Sequence, residues 1–450
     1  MTSASCRSLQ TSLESKLEAL QCHFTWDLDP SRSNLCRLRY QLEDIGTEEG
    51  NSWLGHIYNL RGYVQYKLGF TQDAQSLFNK AAEAFCQTRR ADSDEGPWLV
   101  VNYGNLAWLH HHLGEQAESQ AYLSKVDALM NKYPSPSQDE LHPEIYAEKA
   151  WTLMKFSTDK KQLAADYFQR AIRMQPDMVE WKTSHVLLLA ETAGKTKTGL
   201  DADMLEKMRI AKEEDPENLY LAAYYLQQNA KNMKKERVED EAQELTEKIL
   251  KNPVSSYSGL KALLWVYIHY VSVDEAIQEA EEALRRHPDV RFLKRCVALC
   301  YRVKIYSGKG SQPDKSMIEK AISLHEEVVS LYPQSCLVKK IDLANIYAKS
   351  NHSLDKAEQI YQELLWSDLD PADKQLVYNR YAKYLYFVQN DSGSSAQYHM
   401  RAAEIPLQCY FRQNSVTILE KIRDKKWHQM RREVEEFLEN LPEKFDNKQI

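Results

Sequence analysis

Glycine and proline are both scarce in this chain, with 14 of each in 450 residues. A β-sandwich or barrel needs a turn roughly every 8–12 residues, so the shortage argues against an all-β fold. No apolar run approaches the roughly 18–20 residues of a membrane-spanning helix. Met1 to Leu20 are polar and lack the apolar core of a secretory signal. The eight cysteines (Cys6, Cys22, Cys36, Cys86, Cys296, Cys300, Cys336 and Cys409) are dispersed, with no CxxC pair. They read as reduced thiols of a cytosolic protein. Positive charge is in deficit: 58 Lys and Arg against 65 Asp and Glu leave a net −7. The surface as a whole repels nucleic acid, so any anion site must be a local basic pocket in an acidic shell. There is no P-loop, no GxSxG and no Rossmann glycine pattern. Carboxylates crowd in runs such as Glu279, Glu281 and Glu282, which read as solvated helix faces. Catalysis finds no support, and nothing calls for a cofactor.

What is present is a globular composition, 43% hydrophobic and 27% charged, arranged as a recurring helix-pair unit. From Tyr58 to Ala81 the unit shows Gly62, Gly69, Ala74, Phe78 and Ala81. The next copy keeps the offsets with Ala107, Gly114, Ser119, Leu123 and Val126. Later copies carry Ala164, Phe168, Ala171 and Pro176, then Ala276, Ala280, Ala283 and Pro288. Further copies follow at Ala321, Val328 and Pro333, at Ala344, Tyr347, Ala357 and Tyr361, and near Tyr378 to Ala403, while Pro216 and Pro253 end two weaker ones. Small residues let helices cross closely and aromatics fill the gaps between pairs, which is the pattern of an all-α tetratricopeptide-repeat solenoid.

Polar segments interrupt the period: Asp92 to Gly96, the loop Lys195-Thr-Lys-Thr-Gly199, the charge-dense Lys231 to Glu241, and Ser307-Gly-Lys-Gly-Ser311. The expected divisions are N-terminal helices over 1–50, first repeats over 51–140, and middle repeats lining a pocket over 141–255. C-terminal repeats over 256–410 and a basic helix with a tail over 411–450 complete them.

Some blocks are more specific than a generic repeat. Cys22-His-Phe-Thr-Trp26 with Leu28 opens the folded region, and Tyr103-Gly-Asn-Leu-Ala-Trp108 with His112-Leu-Gly114 closes a helix pair. Pro143-Glu144 then leads to Lys149-Ala-Trp151 and Lys155. Together these resemble the interferon-induced proteins with tetratricopeptide repeats, from about residue 10 to about residue 430. The resemblance implies a superhelix closed around a central basic tunnel. It also implies an antiviral effector that takes the 5′ end of single-stranded RNA there, triphosphate or incompletely methylated cap, and restrains its translation. Assembly with related family members or other host proteins is implied too, and no membrane. A tetratricopeptide adaptor that binds protein partners in innate immune signalling is the alternative.

The resemblance also nominates RNA contacts. Arg37 and Gln41 lie four apart on one helix face and match a basic residue and an amide at the first nucleotide. Trp151 and Lys155 match a cap-stacking tryptophan and a phosphate-binding lysine. Asn218 and Tyr220 match tunnel residues, and Lys261 replaces a backbone-contacting arginine without its bidentate fork. Glu191 stands where relatives place a triphosphate-clamping arginine. Lys161, in place of a tyrosine, partly restores the charge. Lys294 and Arg295 replace a histidine pair, with Cys296 in place of the following amide. The basic run Lys421 to Trp427, continuing to Arg431-Arg432, matches a helix at the tunnel exit. His110-His-His112 is no metal chelate, because consecutive helical residues point in different directions.

Overall fold

The computed structural model describes residues 13–28, 31–46, 51–89, 95–135, 137, 139–193, 200–307, 314–350, 353–425 and 429–441. The 195–199 loop, most of the Asp92–Gly96 and Ser307–Ser311 stretches, and Trp427 of the basic run lie outside these. All regular elements among the described residues are helices. None is long and apolar enough to cross a membrane. The chain forms two compact units, Met1–Leu293 and Lys294–Ile450.

The first unit holds α1 (Arg32–Ile45), α2 (Leu54–Lys67), α3 (Thr71–Arg89), α4 (Val100–His112), α5 (Gln116–Lys132), α6 (Pro143–Leu153) and α7 (Thr158–Met174). It continues with α8 (Val179–Thr192), α9 (Ala202–Glu214), α10 (Leu219–Asn229), α11 (Lys235–Leu250), α12 (Leu260–Tyr270) and α13 (Val273–Arg286), and α14 (Arg291–Ser307) begins in it. Successive helices pack as pairs, most extensively α2 on α3, α4 on α5 and α6 on α7. The repeat residues explain the pairing. A Cβ on Gly62 would come within 2.6 Å of the Phe78 ring, so α2 and α3 close this tightly only because Gly62 has none. Ala74, Phe78 and Ala81, and in the third pair Ala164, Phe168 and Ala171, are wholly buried. Burying each phenyl ring contributes about 2–3 kcal/mol. Gly69 and Gly114 follow α2 and α4 with φ of 93° and 78°, the left-handed geometry that stops a helix at low cost for glycine.

Buried polar chains cross this unit where the specific sequence blocks meet. The His23 backbone N–H donates to Asn105 Oδ1 (3.1 Å), the Asn105 amide pairs with His23 Nδ1 (3.0 Å), and His23 Nε2 pairs with Thr152 Oγ1 (3.1 Å). Burial drives the His23 imidazole down to a pKa of about 3, so it is neutral. Beside it Asn102 donates to Asn59 Oδ1 and Asn59 donates to Glu148 Oε1, both at 2.8 Å. Burial raises Glu148 to about 8. Phe24 of the same block packs against Tyr63, Tyr66, Trp108 and His112. The Cys22–Trp26 block is thus a clasp between α2, α4 and α6.

Helix α1 joins the far end of the unit. The Ser256 N–H donates to the Asp44 carbonyl (2.8 Å), and Arg291 bonds Asp44 Oδ1 (2.8 Å) and the Tyr40 carbonyl (3.2 Å).

The second unit continues from α14 through α15 (Lys315–Leu331), α16 (Leu337–Lys349), α17 (Leu354–Trp366), α18 (Pro371–Phe387), α19 (Ser392–Glu404), α20 (Tyr410–Arg423) and α21 (Arg431–Asn440). It repeats a device of the first: Ser395 Oγ donates to the Ala382 carbonyl (2.8 Å), as Ser119 Oγ does to that of Ala107 (2.9 Å).

Candidate functional site

Pro143 at the first turn of α6 and the His142 cap fix where that helix starts. Trp151 then falls in its last turn and Lys155 just beyond it. Trp151 is 1% exposed and stacks on Trp53, centroids 5.7 Å apart at 18°. Lys155 Nζ lies 4.5 Å from the Trp151 ring and 5.1 Å from the Tyr257 ring, and donates to the Tyr257 hydroxyl. Such cation–ring contacts contribute on the order of 0.5–2 kcal/mol each, more as water is removed. Burial lowers the Lys155 ammonium to a pKa of about 7, with Glu191 opposing the shift and Lys161 adding to it.

Tyr257 comes from the turn before α12. Gly259 makes that turn with φ of 89°, and a Cβ there would meet the Leu219 carbonyl at 2.7 Å. The turn therefore lies flat on the first turn of α10. That places Tyr220 beside Tyr257 (5.3 Å between centroids), with Tyr224 stacked on Tyr220 (6.3 Å, 17°). Burial raises all three phenols, so they remain protonated donors at neutral pH. Glu191, at the end of α8, bonds Lys161 Nζ at 2.5 Å, and its charge also acts on Lys155 and on the three tyrosines. The site is one desolvated ammonium and three phenolic donors, with a lysine–glutamate pair beside them. It is fitted to an anionic group next to a planar one.

The structure brings together Trp151, Lys155, Lys161 and Tyr220 from the expected set. Trp151 offers no open face in this arrangement, since its ring is buried. Lys161 is engaged by Glu191, so the positive charge expected from it is already balanced inside the chain. Asn218 borders the cluster, but its amide serves the helix: Oδ1 accepts the Leu221 N–H (3.0 Å) and Nδ2 donates to Asp215 (2.9 Å). Lys261 is exposed on the first turn of α12. Arg37 and Gln41 are exposed on α1, where Arg37 donates to Asn34 Oδ1 (2.6 Å). Lys294 and Arg295 belong to the second unit. There Lys294 pairs with Glu327 (2.6 Å), Arg295 lies over the Tyr332 ring (5.7 Å) and Cys296 is buried. Sequence reading missed Tyr257, 102 residues from its partner Lys155. Its one signal is the Ser-Tyr-Ser-Gly turn ahead of an apolar helix.

No family model matches the sequence. The antiviral innate immune response effector IFIT1 of Macaca fascicularis is 28% identical over 436 residues, covering 92% of this chain and 88% of the relative. Interferon-induced protein with tetratricopeptide repeats 2 of Mus musculus is 26% identical over 407 residues, covering 88% and 83%. The chain is similar in sequence to the interferon-induced proteins with tetratricopeptide repeats. That is the family to which the Cys22–Trp26 and Tyr103–Trp108 blocks bear their resemblance. The fold agrees: the human IFIT1 dimer with m7Gppp-AAAA superposes with a TM-score of 0.70 at 24% identity, covering 93% of this chain and 92% of that one. The same dimer with PPP-AAAA gives 0.69 at 24% identity, covering 94% and 92%.

Proposed function

We propose that this chain is an interferon-induced antiviral effector of the cytoplasm. It binds the 5′ end of single-stranded RNA and thereby restrains translation of that RNA. It acts by binding and not by catalysis. The observation that carries the reading is Lys155, a half-buried ammonium set among Trp151, Tyr257 and Tyr220 within an acidic chain. A cation so placed is costly unless an anion joins it, and the surrounding phenols suit phosphate oxygens and a base together. The relatives' names supply the class: antiviral effectors, with solved complexes holding capped and triphosphate RNA. In this reading Lys155, Tyr220 and Tyr257 hold the terminal phosphates and first base, and Lys161 contributes where Glu191 releases it. Arg37, Gln41 and Lys261 touch the strand, while Trp151 supports the site from beneath.

The test is binding of one short single-stranded RNA bearing a 5′-triphosphate, a cap or a 5′-hydroxyl, over a salt series. Lys155→Glu and the milder Lys155→Met are compared with the unaltered protein. End-dependent binding that weakens with salt and falls at least tenfold in both variants is expected. Equal or absent binding to all three ends would refute the reading and favour an adaptor for protein partners.

A further inference from the structure

A second concentration of positive charge lies where α1, α2 and the start of α14 meet, made of residues outside the Lys155 cluster. Arg39 and Arg291 both lie over the Tyr40 ring, their guanidinium carbons 5.0 and 4.9 Å from its centroid. Both reach Glu43, Arg39 Nε at 3.4 Å and Arg291 Nη2 at 2.9 Å. Arg291 Nε also bonds Asp44 Oδ1 at 2.8 Å, and that carboxylate side chain is only 1% exposed. Arg61 joins from α2, over the Tyr58 ring at 5.8 Å. Burial holds its pKa below the ordinary arginine value, with Glu43 attracting it and Arg291 and Arg39 repelling it.

The charges do not balance. Among the described residues three guanidiniums face two carboxylates, and Arg291 bonds both carboxylates. The Arg39 approach to Glu43 lacks hydrogen-bond geometry, leaving Arg39 Nε buried without an acceptor. Arg61 donates no hydrogen bond among the described residues. A desolvated guanidinium without an acceptor is expensive to keep, and two like charges beside it add to the cost. What is missing is an acceptor with more oxygens than a carboxylate, reachable by forks from three helices, and a phosphate group meets that description. Arg39 and Arg291 side chains retain 20% and 24% exposure, so the cluster stays open to a small anion.

We propose that Arg39, Arg61 and Arg291 form a second anion site that takes a phosphate group. The group comes either from free phosphate or nucleotide, or from a phosphodiester of a bound RNA strand. The inference stands on this cluster alone and does not need the Lys155 reading.

The test is thermal melting of the full chain in sodium pyrophosphate against sodium chloride at matched ionic strength. The unaltered protein, Arg61→Leu, Arg61→Lys and Lys155→Met are compared. At about ten times the dissociation constant, pyrophosphate raises Tm by roughly 2 °C in the unaltered protein. Part of the increment remains in Lys155→Met, while it shrinks in Arg61→Lys and falls further in Arg61→Leu, which melts no lower than the parent in chloride because it loses an uncompensated charge. No pyrophosphate-specific increment in the parent, or an equal one in Arg61→Leu, overturns the proposal. An increment lost in Lys155→Met also overturns it. Salt-dependent RNA binding then separates the sources. A slope of log K against log salt shallower by about 0.7 in Arg61→Leu assigns the phosphate to the strand, and an unchanged slope assigns it to a free anion.

Discussion

Glu191→Gln is the most informative single change at the Lys155 cluster. The carboxylate holds Lys161 at 2.5 Å and faces Lys155, so two cations that would serve a phosphate are balanced from within the chain. The pair is partly solvated, with side chains 53% and 21% exposed. Its loss therefore costs no more than about 1 kcal/mol of stability. Its effect on an incoming anion is larger. A phosphate charge about 6 Å from the carboxylate, at an effective dielectric of about 40, is repelled by roughly 1.4 kcal/mol. That is about tenfold in affinity. The outer phosphates are more distant and more screened and add less. Removing the carboxylate also frees Lys161.

The expected outcome is a ten- to thirtyfold tighter Kd for 5′-triphosphate RNA in Glu191→Gln, with 5′-hydroxyl RNA changed less than twofold. Fluorescence anisotropy on end-labelled strands of one sequence measures both. Lys161→Met supplies the control: it weakens triphosphate binding more in the Glu191→Gln background than in the parent, because only there is Lys161 free to act. Equal gains for both ends would mean the carboxylate acts on general RNA affinity. No gain at all would mean the phosphates do not approach Glu191, and the assignment of this cluster to the 5′ end would fall.

Three further predictions concern the same unit. Lys155 has a pKa of about 7 in the folded chain against 10.5 unfolded. Affinity for triphosphate RNA therefore falls severalfold from pH 6 to pH 8, and titrations of Lys155→Met show no such trend. The unfolded chain holds the extra proton between those values, so stability rises with pH across that window in the parent and less steeply in Lys155→Met. Glu148 runs the other way. Its pKa is raised from 4.5 to about 8, so stability is full below 4.5 and declines as pH rises towards 8. Glu148→Gln melts like the parent at pH 4.5 and above it at pH 8.5, by at most about 5 kcal/mol, and parallel melts with no divergence would show Glu148 ionised in the fold. Gly259→Ala strains a positive φ and drives a Cβ onto the Leu219 carbonyl, which costs about 2–4 kcal/mol in chemical denaturation. It also weakens RNA binding by displacing Tyr257, and unchanged affinity would detach that turn from the site.

The repeat was legible because close helix approach leaves a local mark: Gly62 must be small where the Phe78 ring arrives, and the offset recurs. Trp151 and Lys155 were legible for a similar reason, since four residues along a helix return to one face. Tyr257 was not, because a side chain brought in from 102 residues away leaves no periodic trace. Lys161 and Glu191 were read singly, one as gained charge and the other as lost charge. Only the packing of α7 against α8 makes them one neutral pair. Asn218 illustrates the opposite difficulty. An Asn ahead of an apolar helix is a helix cap as readily as a ligand contact, and its hydrogen bonds place it in the first role. The Cys22–Trp26 block stood out in sequence, yet its work, joining His23 to Asn105 and Thr152, lies in three separate stretches of chain.

Under the proposed function, burial of Lys155 would let an acidic chain discriminate among RNA ends. In water an ammonium would attract any strand through its backbone, and the net −7 would oppose that attraction for all ends alike. Out of water the same ammonium is partly deprotonated at neutral pH and interacts weakly with a neutral group. A phosphate arriving beside it restores the proton, and the attraction then acts in a medium of lower dielectric, where it is stronger. The gain from a charged end over an uncharged one therefore grows with the desolvation that depresses the free lysine. Exposing Lys155, as a small residue in place of Tyr257 would do, raises its pKa and yet narrows the ratio of triphosphate to hydroxyl affinity. Tyr257→Ala thus moves the lysine pKa and end selectivity in opposite directions, an outcome that simple loss of positive charge cannot produce.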